Sequence, residues 1–352
     1  MSLQADFFRK DFKFNFKART SRGLMADKTS WFISLSDVNN RGTTGWGECG
    51  PLKGLSVDYR PDFENVLNRV LKDFSRIDHP TLADIRRIVS PELPSIIFGL
   101  ETALLDLQNG GQKIIYKNSF LAGARIPING LIWMGDLDFM MTQINEKIAK
   151  GFNCIKLKVG GLDFDSECDI LSYIRKRYFR NDIVIRLDAN GAFKIDDVLY
   201  KLEELAKFNV HSIEQPIKPG LEEMEELCRK TPIPVALDEE LIGKHTFEEK
   251  AKLLQKIKPQ FIILKPSLHG GLQQCAEWIA LAQKQNIGWW ITSALESSIG
   301  LNAICQFTGN YDVTIPQGLG TGTIYQENFQ APLKVENGMI YHDPSETWGP
   351  IA

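Results

Sequence analysis

At 352 residues, with 43% hydrophobic and 24% charged side chains, the chain exceeds one average domain and has the composition of an ordinary globular protein, which excludes a disordered or fibrous role. The net charge of -3 comes from acids and bases scattered along the sequence, so no nucleic-acid footprint is present. No apolar run has the length a membrane span needs, and the six cysteines form no C-x-x-C pair, which points to reduced thiols in a cytoplasm.

Residues 12–17 alternate Phe12, Phe14 and Phe16 with Lys13, Asn15 and Lys17, and β-type patterns recur at 30–37 and 43–48 around the turn at 39–42. This predicts an antiparallel meander. From about 60 to 110 the apolar period becomes helical, with Phe63, Val66, Leu67, Val70 and Leu71 on one face and Phe98, Thr102, Leu105 and Leu107 in another helix. Strands followed by helices indicate an α+β unit. A regular alternation then begins, with strands expected near 126–133, 153–159, 183–188, 210–214, 234–238, 260–265, 287–293 and 312–316. Helical spacing at 137–150 and 196–207 fits the intervals between them. After Gly322 the chain turns irregular, then β-like from Leu333 to Tyr341, and is expected to return to the first unit.

The informative residues lie at the ends of these strands: Lys158, Asp188, Glu214, Asp238 and Lys265, spaced 30, 26, 24 and 27 residues apart. Each interval is about one strand plus one helix, so the spacing predicts one polar site at one end of a parallel barrel. Residues i and i+2 of a strand share a face, which turns Lys156 and Lys158 together into that site and Ile155, Leu157 and Val159 toward helices. Three converging carboxylates repel one another unless a cation is present. The histidines lack zinc-type spacing, so the expected metal is an oxygen-bound magnesium, with manganese able to substitute.

A metal flanked by amines is suited to removing a proton from carbon next to a carboxylate, with one lysine as base. An unperturbed lysine is protonated at neutral pH, so neighbouring cations and desolvation must lower its pKa. Singly, each residue has an ordinary reading as a helix cap, a turn or a snorkelling lysine. Five on consecutive strands are not accounted for by caps alone.

At Lys156-Leu-Lys158, Arg186-Leu-Asp188-Ala-Asn190-Gly, Glu214-Gln215-Pro216, Leu237-Asp238-Glu239, Leu264-Lys265-Pro266 and Ser293-Ala-Leu-Glu296-Ser-Ser-Ile-Gly300 the chain resembles the enolase superfamily. Its lysines on the second and sixth barrel strands, Lys158 and Lys265, resemble the muconate lactonizing subgroup. The resemblance implies an α/β fold, a TIM-like (β/α)7β barrel over 123–321 with an N-terminal α+β capping domain over 1–122, completed by 322–352. It implies Asp188, Glu214 and Asp238 as magnesium ligands, Lys158 as base, Lys265 as the opposing amine and Lys156 as an electrostatic helper. Asp238-Glu239-Glu240 departs from the family pattern at its last position.

Substrate contacts are expected from Asn190, Ser293 and Glu296, from Ser21 and Gly54 on two cap loops (18–28 and 50–58), and from Gly320. The segment Ile315 to Gly322 lacks the Asp-x-Asp of dipeptide epimerases, so its amides are expected to face a carboxylate. The implied chemistry is loss of water from a succinyl-substituted hydroxycyclohexadiene carboxylate. Its rivals are N-succinylamino acid racemisation, dipeptide epimerisation and muconate cycloisomerisation, and, in another class, a non-catalytic binding barrel. The expected partner is a small carboxylate, without nucleic acid or membrane. A homo-oligomer is left open.

Overall fold

The computed structural model describes residues 3–20, 23–38, 40–178 and 182–351. The chain opens with three antiparallel strands in sequence order, β1 (Leu3–Thr20), β2 (Gly23–Asp37) and β3 (Asn40–Cys49). The aromatic alternation works as its period requires: Phe12 and Phe14 are buried and Lys13 is exposed. Three helices follow, α1 (Phe63–Phe74), α2 (Leu82–Ile88) and α3 (Pro94–Gln108). α3 is buried nearly all round, with β3 on one side and α2 and two later helices on others. A side chain on Gly45 or Gly47 would come within 2.1 Å of Ala103 O or 1.9 Å of Gly99 O, so glycine there lets the strand lie against the helix.

Among the described residues the central element is a seven-stranded parallel sheet, β5 (Gly130–Ile132), β6 (Cys154–Lys158), β7 (Val184–Asp188), β8 (Ser212–Glu214), β9 (Val235–Leu237), β10 (Phe261–Leu264) and β11 (Gly288–Ile291), side by side in chain order. Helices α4 (Leu137–Ala149), α5 (Phe164–Arg177), α6 (Ile195–Ala206), α7 (Glu223–Lys230), α8 (Phe247–Ile257) and α9 (Gly271–Lys284) form the crossovers, and α10 (Ser298–Thr308) follows β11. The outward strand residues, among them Ile155, Leu157, Ile185, Leu187 and Ile213, join the helices in the largest apolar core. Neighbouring parallel strands in chain order, with helices between them, curl the sheet.

The structure differs from the expected strands in two places. The stretch 126–133 divides between two sheets: β4 (Ile126–Pro127) pairs with the C-terminal hairpin of β12 (Leu333–Glu336) and β13 (Met339–His342), and only Gly130–Ile132 enters the parallel sheet. Pro127 offers no N–H to a ladder, and the chain changes partner after it. The expected strand at 312–316 is replaced by bridges at Gln317 and Gly318. Gln317 N donates to Pro127 O and Gly318 N to Ile291 O, so this short segment lies between the end of β11 and the residues that lead into β5.

The tail meets the first strand as well. Asn15 N donates to Ile324 O, Gln326 N donates to Lys13 O, and Phe12 packs on Tyr325 and Phe329. No described helix is long and apolar enough to cross a membrane. All six cysteines are free thiols.

Candidate active site

Register places the charges. Lys158 lies beside Asp188, and Asp188 beside Glu214, across β6, β7 and β8, while Lys156 lies beside Arg186 one layer below. Lys158 Nζ donates to Asp188 Oδ2 at 2.5 Å and to Asn190 Oδ1 at 3.0 Å. Lys156 pairs with the same Asp188 oxygen at 2.8 Å and donates to Glu214 Oε2. Just past β10, Lys265 donates to Asp238 Oδ2 and stands 4.0 Å from Glu214 Oε1. Asp188 and Asp238 are fully buried, and Glu214 nearly so.

Such groups are buried only with partners. Burial disfavours the charged form of each lysine, and the balance differs among the three. For Lys156 the acids Asp188, Glu214 and Asp238 outweigh burial and raise the pKa. Lys265 is raised in the same way by Asp238 and Glu214. For Lys158 burial prevails over Asp188, with the Lys156 cation adding to it, so its pKa is lowered from the ordinary 10.5. Burial works against the charge of Asp188 also, yet Lys156 and Lys158 hold it well below the carboxylate range. Asp238 is held at about 2, Lys265 overcoming its burial, and Glu214 is pushed up by burial and by Asp188.

No three acids, histidines or cysteines among the described residues stand arranged as a ready metal cage. The lysine ammonium groups lie on one oxygen of each of Asp188, Glu214 and Asp238 instead. Glu214 Oε1 and Asp238 Oδ1 are nevertheless buried and accept no hydrogen bond. Buried carboxylate oxygens without donors are costly, and a hard cation satisfies them, so the donor set fits magnesium.

The three lysines line a cavity of about 400 Å³, together with Gly54, Ser293 and Gly320 among the expected contacts. Met25, Leu52, Leu131 and Trp133 supply apolar walls. Ser293 Oγ shares a 2.5 Å hydrogen bond with Thr321 Oγ1, another lining residue. Asn190 lies instead on an adjoining cavity with Glu239, holding Lys158 through Oδ1 and donating to Glu239 Oε1 at 3.0 Å. Glu296 is buried within the wall, where its carboxylate accepts from Ser267 Oγ and Ala294 N. Ser21 lies outside the described residues.

The Asp238-Glu239-Glu240 segment divides its acids by role. Glu240 accepts from Gly220 N and Gln215 Nε2, and so braces the loop after β8. Gln215 Oε1 accepts from Asp238 N and Glu240 N, which ties the Glu214-Gln215-Pro216 turn to the next strand end. Sequence reasoning gave no role to Gln215, to Arg186 or to His269. Arg186 lies in the same inward layer as Lys156, with its guanidinium 4.0 Å from the Trp290 ring and a hydrogen bond to Pro316 O. His269 Nδ1 accepts from Lys265 N, and burial lowers its pKa to about 3, so it is neutral and fixes the strand end that carries Lys265. The i, i+2 rule applied to Arg186 and Asp188 would have turned Arg186 inward.

The family model for the "Enolase C-terminal domain-like" fold matches residues 140–346. An o-succinylbenzoate synthase of Desulfotalea psychrophila is 41% identical over 96% of this chain and 98% of its own length. One from Bacillus subtilis is 23% identical over 88% of this chain and 83% of its own length. Among solved structures, MenC of Desulfotalea psychrophila superposes with a TM-score of 0.85 at 38% identity, covering 97% of this chain and 100% of that one. A dipeptide epimerase from Cytophaga hutchinsonii complexed with Mg and dipeptide has a TM-score of 0.83 at 20% identity, covering 99% and 95%, which speaks for the fold alone. The chain belongs to the enolase superfamily.

Proposed function

We propose that this chain is an o-succinylbenzoate synthase, a hydro-lyase that removes water from 2-succinyl-6-hydroxy-2,4-cyclohexadiene-1-carboxylate in menaquinone biosynthesis. The observation that carries the reaction type is one cavity lined by Lys158 from β6 and by Lys265 from the end of β10. The substrate is drawn from the relative that is 41% identical over nearly its whole length.

Lys158 Nζ takes the proton α to the ring carboxylate. The electrons of that C–H bond enter the ring as the neighbouring C–O bond breaks, and hydroxide leaves with the proton returned by Lys158, as water. Burial supports Lys158 in this role because it favours the neutral amine. Lys265 meets the ring from the other wall, where its charge stabilises the developing anion. Lys156 offsets the charges of Asp188 and Glu214 beneath the base. Asp188, Glu214 and Asp238 would hold magnesium, or manganese in its place, and the chemistry it supplies when bound is positive charge beside the substrate carboxylate.

Residues 123–321 would form a (β/α)7β barrel, a reading supported by the two-sided bridges of Gln317 and Gly318. Residues 1–122 with 322–352 would form its cap, in keeping with the pairing of Phe14 with Tyr325. Free thiols in all six cysteines favour a cytoplasmic setting.

The purified protein with magnesium is expected to convert the cyclohexadiene acid to the aromatic product, followed by ultraviolet absorbance. An inactive assay beside efficient racemisation of an N-succinylamino acid would replace this reading with the racemase.

A further inference from the structure

The cavity wall at 293–295 is held in place from the first sheet. Ser293, Ala294 and Leu295 line the cavity just past the end of β11, beside the strand end that carries Lys265, and Leu295 adopts φ +63°, a left-handed conformation that is strained for a leucine. Three groups fix it there. Lys28, on β2 and 5% exposed, donates to Leu295 O at 2.7 Å and to Ala294 O at 3.3 Å. Tyr325 Oη donates to Leu295 O at 2.5 Å, and Glu296 accepts from Ala294 N at 2.7 Å.

Lys28 is held in turn by Glu48 on β3, 3.8 Å away and wholly buried. The Glu48 carboxylate accepts from Ser30 Oγ, Ser297 N, Ser297 Oγ and Gly300 N, so it also caps the start of α10. Two glycines make room. A Cβ at residue 50 would lie 2.6 Å from Lys28 Nζ, and one at residue 300 would lie 2.8 Å from Glu48 Oε2.

We infer that Lys28 and Glu48 are positioning residues for substrate: they set the 293–295 wall and thereby the fit of whatever carboxylate the cavity takes. Neither group reaches the reacting atoms. Lys28 acts through two backbone carbonyls, and Glu48 acts through Lys28 and the α10 N-terminus. The part of the inference that concerns turnover rests on the reaction proposed above, while the part that concerns the wall does not.

The test compares Lys28→Met with Lys28→Met/Glu48→Gln. The single variant leaves the buried Glu48 carboxylate without its cation and melts well below wild type, whereas the double removes both charges and regains much of that loss. Ala294 O loses its Lys28 donor in both, and Leu295 O keeps only Tyr325 Oη. KM for the cyclohexadiene acid is therefore expected to rise about tenfold or more in both variants, with kcat changed less than KM. Amide hydrogen exchange in peptides covering 293–297 is expected to quicken in both, with the parallel strands unchanged.

Recovery of KM together with melting temperature in the double variant would reduce the pair to a structural one and overturn the inference. Unchanged exchange at 293–297 would overturn it as well. If the wild-type protein does not turn over the acid, the proposed reaction fails, and hydrogen exchange alone then decides whether Lys28 sets the wall.

Discussion

One buried charge cluster lines the cavity and another stands behind its wall, and the two are finished differently. In the Lys28–Glu48 cluster both Glu48 oxygens accept hydrogen bonds and Lys28 Nζ reaches two carbonyls. In the strand-end cluster, Glu214 Oε1 and Asp238 Oδ1 accept none although both are buried. A satisfied cluster holds a backbone in one conformation. An unsatisfied one retains capacity for a ligand, and its cost is tolerated where that ligand is needed.

Substitutions should separate the two accordingly. The largest effect is expected from Lys158→Ala, which removes the proposed base: turnover falls by about 10³-fold or more while circular dichroism and melting remain near wild type. Retained turnover would assign proton removal to another group. Glu48→Ala should do the reverse, costing about 3–5 kcal/mol in denaturant unfolding by stranding Lys28, while magnesium affinity is kept.

The pattern at the strand ends was legible in the sequence because β-strand geometry is local. Period 2 assigns Lys156 and Lys158 to one face, and the interval of one βα unit brings Asp188, Glu214, Asp238 and Lys265 to one rim. The same period, applied only to the lysines, left Arg186 unread. The split of 126–133 was not legible, since the partner of Ile126 is Ile340 at the far end of the chain. Nor was the Lys28 cluster: its hydrogen bond to Leu295 joins residues 267 apart, and a lysine in a strand carries no sign of what it will meet. Ser297 and Gly300 were noticed within a family motif, but Glu48, which gives both a purpose, was not. Glu296 was expected to face the substrate, whereas it is the brace behind the wall.

A buried acid outside both clusters gives a smaller, pH-dependent contrast. Glu101 on α3 is wholly buried and accepts from Leu272 N at the start of α9, and burial raises its pKa from 4.5 to about 7. Between those values the folded chain holds a proton that the unfolded chain has released. This contribution to stability is therefore full below about pH 4.5 and is lost as pH rises toward about 7. Glu101→Gln cannot titrate, so its unfolding free energy should fall less than wild type across that window, by up to about 3 kcal/mol. Parallel pH profiles for the two proteins would show that Glu101 is ionised throughout. The smallest effect is expected from Ser293→Ala, which removes one neutral hydrogen bond to Thr321 and should change KM by about 2- to 10-fold.

Magnesium titration by calorimetry tests the contrast between the clusters most directly, applied to wild type, Asp238→Asn, Glu214→Gln and Lys28→Met/Glu48→Gln. The expected result is one site in wild type and in the Lys28/Glu48 double variant, and loss of binding in Asp238→Asn and Glu214→Gln with folding retained. Binding unchanged in those two variants, or no binding in wild type, would contradict the account.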